Sequence, residues 1–240
     1  MSIAHFLIML LMVYCSKAKA PSAPPIPPDP CIVNGVDTCQ LNASLSVTIN
    51  LNVEKQAIHS FGASDCWTTK FIGKWNNIPK KDQIADYLFS QDTLPDGSPE
   101  GIALSLWRFN IGGGSYEQGT ASNITDEWRR EECFLNADGS YNWNKEEGQQ
   151  WFLQAAKQRG VKYTLGFAIT PPVYMTRNGK AYNETGGTTM NIQDGKMDDF
   201  ADFLSQVTKH FRFDYVSPVN EPQWAWGKAT GAGQIGRAHV

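Results

Sequence analysis

The feature that most constrains this chain is a run of ten residues, 102–111, that is apolar on both faces for much of its length: Ile102-Ala103-Leu104-Ser105-Leu106-Trp107-Arg108-Phe109-Asn110-Ile111. A strand with one wet face alternates apolar and polar side chains. A strand that is apolar nearly throughout is covered on both faces, the condition of parallel sheets in α/β proteins. The surrounding pattern agrees. Residues 57–64 form a short apolar stretch ending in small residues, and Pro79 opens a helical stretch carrying Ile84, Tyr87 and Leu88. Proline is harmless there because the first turn has no use for its missing N–H. Asn144 reads as an N-cap with Glu147 as its capping-box partner. Trp151, Phe152, Ala155 and Ala156 give that helix a buried stripe, and Gly160 fits its C′ position. Residues 161–169 read as a strand, Phe200, Phe203, Leu204, Val207 and Phe211 fall at helical spacing, and residues 213–219 form the next strand. Strand and helix alternate, which predicts an α/β fold with parallel strands. Ahead of this, Leu45, Val47, Ile49, Leu51 and Val53 alternate with polar residues and predict a half-buried strand.

Both ends stand apart from this pattern. Residues 3–14 are a short apolar segment, too short to span a bilayer, followed by Ala18-Lys19-Ala20. This reads as a secretory signal peptide over residues 1–20, which places the protein outside the cell. Cys15 offers a second reading, a lipid-anchored cysteine, which the large Tyr14 before it disfavours. The proline-rich residues 21–30 suit an extended spacer. Cys31 and Cys39 bracket a small loop, so residues 21–43 are linker and loop. With Cys66 and Cys133 they make an even set of four in an oxidising compartment, of unspecified connectivity. At the other end, Gln234 to Val240 resemble one reading frame of a sequencing adapter, and residues 234–240 are expected to be a non-native tail. The barrel-like pattern occupies residues 44–233.

Composition excludes several classes. The 240 residues carry 21 Lys plus Arg against 24 Asp plus Glu, a formal charge of −3, so the basic excess of a nucleic-acid binder is missing. The longest apolar run falls short of a stable membrane span. The four histidines (His5, His59, His210 and His239) are scattered without metal-ligand spacing, so neither metal nor cofactor is called for. There is no Gly-x-Ser-x-Gly elbow. Gly112-Gly113-Gly114 lacks the Gly-Lys-Ser/Thr of a phosphate loop and reads instead as close approach of backbone to a ligand or a neighbouring loop.

The chemistry-bearing residues all fall just past strand ends: Asp65-Cys66-Trp67, Arg108 with the glycines after it, Thr170-Pro171-Pro172 with Tyr174, and Asn220-Glu221-Pro222 with Trp224 and Trp226. In a barrel of alternating strands and helices that end carries the active site. Glu221 is a candidate general acid for cleaving a glycosidic bond, if desolvation by nearby tryptophans keeps it protonated. Asn220 can donate to a sugar 2-hydroxyl. Arg108, late in an apolar strand, needs partners, so it either braces Glu221 or forms an ion pair elsewhere. The eight tryptophans of the chain suit both sugar stacking and core packing. As a bare tripeptide, Asn220-Glu221-Pro222 is equally a turn after a strand.

Taken together, Phe61-Gly62-Ala63-Ser64, Leu106-Trp107-Arg108-Phe109-Asn110-Ile111-Gly112, Thr170-Pro171-Pro172-Val173-Tyr174-Met175 and Val219-Asn220-Glu221-Pro222 resemble glycoside hydrolase family 30 in order and spacing. Within it, the chain looks most like the endo-β-1,6-galactanase-like group. The resemblance implies a retaining (β/α)8 TIM barrel, here incomplete at about its first four β/α units, with the Leu45–Val53 strand belonging to a side β-structure. It implies Glu221 as acid/base, and it implies a polysaccharide or oligosaccharide partner. Asn220, Arg108, Asp65, Trp67, Tyr174, Trp224 and Trp226 are the candidate substrate-binding residues. The family nucleophile, a second Glu after the seventh strand, has no counterpart here. A retaining mechanism needs two carboxyls about 5–5.5 Å apart, so the chain as given is expected to be inactive. Activity on xylan or β-1,6-glucan, or a non-catalytic carbohydrate-binding role, are the rival readings.

Overall fold

The computed structural model describes residues 32–33, 36–37, 48, 50, 52–183 and 191–221. The signal segment, the proline-rich spacer, Cys31 and Cys39, Trp224, Trp226 and the tail all lie outside the described residues. Most of the expected Leu45–Val53 strand does too, and its described residues carry no strand. The chain divides into two compact units, residues 1–55 and 56–240. In the first, β1 (Ile32–Val33) pairs antiparallel with β2 (Val36–Asp37).

The second unit is an α/β layer structure. Its four strands, β3 (Gly62–Ser64), β4 (Leu106–Ile111), β5 (Tyr163–Ala168) and β6 (Tyr215–Ser217), lie side by side in chain order, and every pairing is parallel. Helices fill the crossovers: α1 (Thr69–Ile72) and α2 (Ile78–Phe89) between β3 and β4, α3 (Glu147–Gln158) between β4 and β5, and α4 (Met197–Phe211) between β5 and β6. The parallel α/β expectation holds, although the strands are shorter than the apolar runs that encode them. Ile102 is exposed, and Ala103 has a positive φ of 52°, so the run at 102–105 reaches the sheet without joining it.

The alternation within β4 divides the work of the sheet. Trp107, Phe109 and Ile111 point to the helix layer and are fully buried. Trp107 meets Phe89 edge-on at 4.9 Å and Phe152 at 6.4 Å, while Phe109 meets Phe134, Phe211 and Phe213. Each such ring buries on the order of 150–250 Å², which makes this layer the main source of stability. α4 contributes Phe200, Phe203, Leu204 and Val207 at helical spacing, all buried as the pattern demands. α2 starts as expected, with Pro79 in its first turn and the Asn77 side chain accepting from the Lys80 N–H.

The start of α3 differs from the sequence reading. Asn144 does not cap it; its own N–H bonds Asn142 Oδ1 in an exposed turn. The N-cap is Glu146, at a positive φ of 55°, and its N–H donates to Glu132 Oε2 at 2.8 Å. A tertiary anchor from a neighbouring loop thus replaces the local capping box. Of the four cysteines, the two among the described residues, Cys66 and Cys133, are free thiols. Cys66 packs beside Phe167 and Ile169, whereas Cys133 belongs to the aromatic core on the helix side, so the even number yields no bond between them.

α3 also lies unusually close to α1. A Cβ on Gly148 would fall 2.2 Å from the Lys70 carbonyl oxygen and 2.7 Å from that of Thr69, both backbone atoms that cannot swing aside. Gly148→Ala should therefore lower the free energy of unfolding by about 1–3 kcal/mol, as overpacking does. Urea unfolding checks this, and an unchanged midpoint would contradict the close approach.

Candidate active site

The C-terminal ends of the strands bring together side chains far apart in sequence. Arg108 leaves the face of β4 opposite the aromatic layer. Its guanidinium carbon lies 3.3 Å from the centroid of the Phe167 ring on β5, and Nη2 donates to Asn220 Oδ1 at 2.6 Å. Arginine rests well on an aromatic face because its planar, weakly hydrated cation is attracted by the ring quadrupole. Burial lowers the Arg108 pKa, and the charges of Asp65 and Glu221 oppose that shift. Glu221 itself is exposed, and its backbone is in the left-handed region at φ 47°, an unfavourable place for a non-glycine residue and one often found at functional sites.

Asp65 ties β3 to β4 from below this group. It is 1% exposed. Its Oδ1 accepts from the Asn110 N–H at 2.9 Å, its Oδ2 accepts from Gln149 Nε2 at 2.9 Å, and its own N–H donates to the Arg108 carbonyl at 3.0 Å. Burial pushes its pKa up to about 7 against the lowering effect of those two donors and of Arg108. Both oxygens face protein donors, so Asp65 is a strut of the site.

The remaining candidates separate. Trp67 packs with Phe167 and Ile169 on the Arg108 side of the sheet, and the Arg129 guanidinium lies 4.8 Å from its ring. Tyr174 is engaged elsewhere: its hydroxyl donates to the Leu135 carbonyl at 2.9 Å, its ring packs on the main core, and burial raises its pKa. Trp224 and Trp226, the tryptophans expected to desolvate Glu221, lie outside the described residues. The glycine run packs backbone against a neighbouring loop: a Cβ on Gly113 would fall 2.5 Å from Thr170 Cγ2 and 2.8 Å from the Pro171 oxygen. Among the described residues, no group of three or more His, Cys, Asp and Glu side chains is arranged to hold a metal ion.

Sequence reasoning passed over Phe167, Gln149 and two buried acids, Glu131 and Glu146. Phe167 carried a usable signal, since it sits near the end of a strand where alternate residues face the site. Gln149 is a polar residue on the buried face of α3, detectable as a break in that stripe. The acids gave no local signal, because only the fold shows which of the chain's carboxyls are buried.

Comparison with known proteins fits this geometry. The model of the family described as O-glycosyl hydrolase family 30 matches residues 44–239. A crystal structure of a conserved exported protein from Bacteroides fragilis is 40% identical, with a TM-score of 0.72 over 80% of this chain and 40% of that one. The catalytic domain of the GH30 xylanase C from Talaromyces cellulolyticus is 26% identical, with a TM-score of 0.50 over 72% of this chain and 38% of that one. The chain thus spans about two fifths of the length of each. No curated protein sequence matches it.

The strut role of Asp65 has a measurable signature. Asp65→Ala leaves the Asn110 N–H and the Gln149 amide without their acceptor and should cost about 1–3 kcal/mol in urea unfolding. The wild-type carboxyl is raised from 3.8 to about 7 on folding. Its contribution is therefore full below the unfolded value and falls as pH rises toward the folded one. The deficit of the variant should be larger near about pH 5 than near about pH 8. A deficit that grows with pH would contradict the assignment.

Proposed function

Because the chain belongs to glycoside hydrolase family 30, we propose that the protein is a retaining, endo-acting hydrolase of a β-linked polysaccharide, with β-1,6-galactan as its substrate. In this reading the four parallel strands are the first four of a (β/α)8 barrel, Glu221 is the acid/base, and Asn220 contacts the sugar 2-hydroxyl. Arg108 holds Asn220, while Trp67 with Trp224 and Trp226 flanks the subsites. The motif-level likeness to the β-1,6-galactanase-like group supports the choice of galactan.

The observation that carries the reading is the Arg108–Asn220 hydrogen bond of 2.6 Å, made immediately before Glu221. An arginine only donates, so the amide atom facing it must be the oxygen. That leaves the Asn220 NH₂ as the group free to donate toward a ligand, as a 2-hydroxyl contact requires. The contact strengthens as positive charge develops on the sugar ring. The nucleophile is not assigned among the described residues.

A xylan-directed activity is the second reading, favoured by the Talaromyces structure, the catalytic domain of a xylanase. Release of reducing ends by the full-length gene product from β-1,6-galactan, xylan and β-1,6-glucan decides between them, with galactan expected to be cleaved fastest. Glu221→Gln should reduce turnover on the preferred polysaccharide by about 10²–10⁴-fold, the usual contribution of a general acid. Wild-type turnover in that variant would remove Glu221 from its role. Binding without cleavage of any of the three by the unmodified protein would favour a carbohydrate-binding protein.

A further inference from the structure

Beside the end of β4, two carboxyls are buried with too few donors. Glu131 is 4% exposed and Glu146, the N-cap of α3, is 1% exposed. Neither oxygen of Glu131 nor Glu146 Oε1 has a hydrogen-bond partner, and the Asn110 amide, 1% exposed, has none either. The side chains that approach Glu131 are those of Glu146 and Asn110, and the Asn110 amide makes no hydrogen bond to it. An ionised carboxylate only accepts. Two ionised carboxylates in contact would leave each other without a donor and repel. One proton between them supplies the donor and removes one charge.

The surrounding charges favour that count. Lys70 on α1 is 3.9 Å from Glu131 Oε1, and its ammonium also donates to the Glu127 and Arg130 carbonyls. Asp65 acts on Glu131 from β3, and Glu132 acts on Glu146 while pairing with Lys74 at 3.8 Å. Asp126 acts on Lys70, Cys66 lies within reach of Glu131, and Arg129 lines the adjoining space. One buried ammonium can balance a singly charged pair. It cannot balance a doubly charged one with Asp65 beside it.

We infer that Glu131 and Glu146 hold a single proton between them in the folded protein, and that this shared proton locks the Glu131 loop against the end of β4 and the start of α3. The fit there is tight, since a Cβ on Gly112 would lie 2.7 Å from Glu131 Cβ and 2.9 Å from Glu146 Oε1. Against Glu131 lies a cavity of about 10 Å³ bounded also by Asn110, Gly112, Ser115, Arg129 and Thr170. It is roughly the size of one water, which would give the Asn110 amide its partner. Burial pushes Glu131 up to about 8 and raises Glu146 well above its ordinary range, with Glu131 adding to the rise in Glu146.

The pH dependence follows with a definite sign. Both carboxyls ionise near 4.5 when unfolded. Above that value the folded protein carries a proton the unfolded chain lacks, so this part of the stability falls as pH rises until the folded pair itself ionises. Thermal unfolding of the full-length protein, read with infrared spectra of its carboxyl groups, tests this. Glu146→Gln puts a permanent NH₂ donor against Glu131, so its unfolding should lose the release of about one proton between about pH 5 and 8. At neutral pH the wild type should show a protonated-carboxyl band to which Asp65 also contributes; Asp65→Asn should keep the part of it that Glu146→Gln loses. A wild-type pH slope and band in Glu146→Gln would overturn the inference. If that variant does not fold, Glu131→Gln presents the same amide from the other side. If neither folds, the wild-type band decides: its absence, or its loss in Asp65→Asn, overturns the shared proton.

Discussion

The site depends on the placement of one cation that cannot shed its charge. Arg108 stands on the inner face of a parallel strand, half-buried, and a guanidinium there must find partners because it stays protonated at any working pH. Its partners come from the next two strands. Phe167 on β5 supplies a ring face beneath it, and Asn220 beyond β6 supplies an acceptor. β4 pairs with β5 and β5 with β6, so the guanidinium reaches across an intervening strand. Among the described residues, that hydrogen bond ties the loop after β6 to β4. Since arginine only donates, the contact settles the orientation of the Asn220 amide along with its position. Glu221 inherits its place from this arrangement.

The two-residue period of a strand lets the same six residues serve stability and chemistry separately. Trp107, Phe109 and Ile111 enter the aromatic layer, while Arg108 and Asn110 face the other way. The backbone between them is held from β3 by Asp65, which bonds the Asn110 N–H and receives the Arg108 carbonyl through its own N–H. Position along the strand is thereby fixed by packing on one face and by a buried polar network on the other. Both Asp65 oxygens are satisfied in that network, while the side-chain amide of Asn110 and the Gln149 oxygen are not.

Much of this was legible before any coordinates. The doubly apolar run at 102–111 required a covered strand, and the helix stripe from Phe200 to Val207 appears as written, because periodicity reports burial directly. Arg108 and Asn220 were also legible: a charge inside an apolar run and an amide beside a carboxyl are local anomalies. Asp65 was legible, but its partners were not. Sequence marks it as a polar residue at a strand end, and only the fold shows that both its oxygens are consumed by Asn110 and Gln149. Asn144 failed for a related reason, since capping rules weigh local partners while the start of α3 is set by Glu132, fourteen residues away in the chain. The Glu131–Glu146 pair was invisible because neither residue is unusual until the loop and the helix meet.

The first turn of α3 connects these layers. Glu146 meets the Glu131 loop, Gly148 admits the backbone of α1, and Gln149 reaches through to Asp65 and to the Asn110 carbonyl. A helix N-terminus carries about half a positive charge, which favours negative charge nearby. The carboxyls gathered here, Asp65 and the pair sharing a proton, are therefore set against the end of α3 best suited to hold what charge they keep. The helix that follows β4 thus fixes the end of β4 itself. A change at Gln149 would pass through Asp65 to the carbonyl of Arg108, and from there to the orientation of Asn220, without touching a ligand.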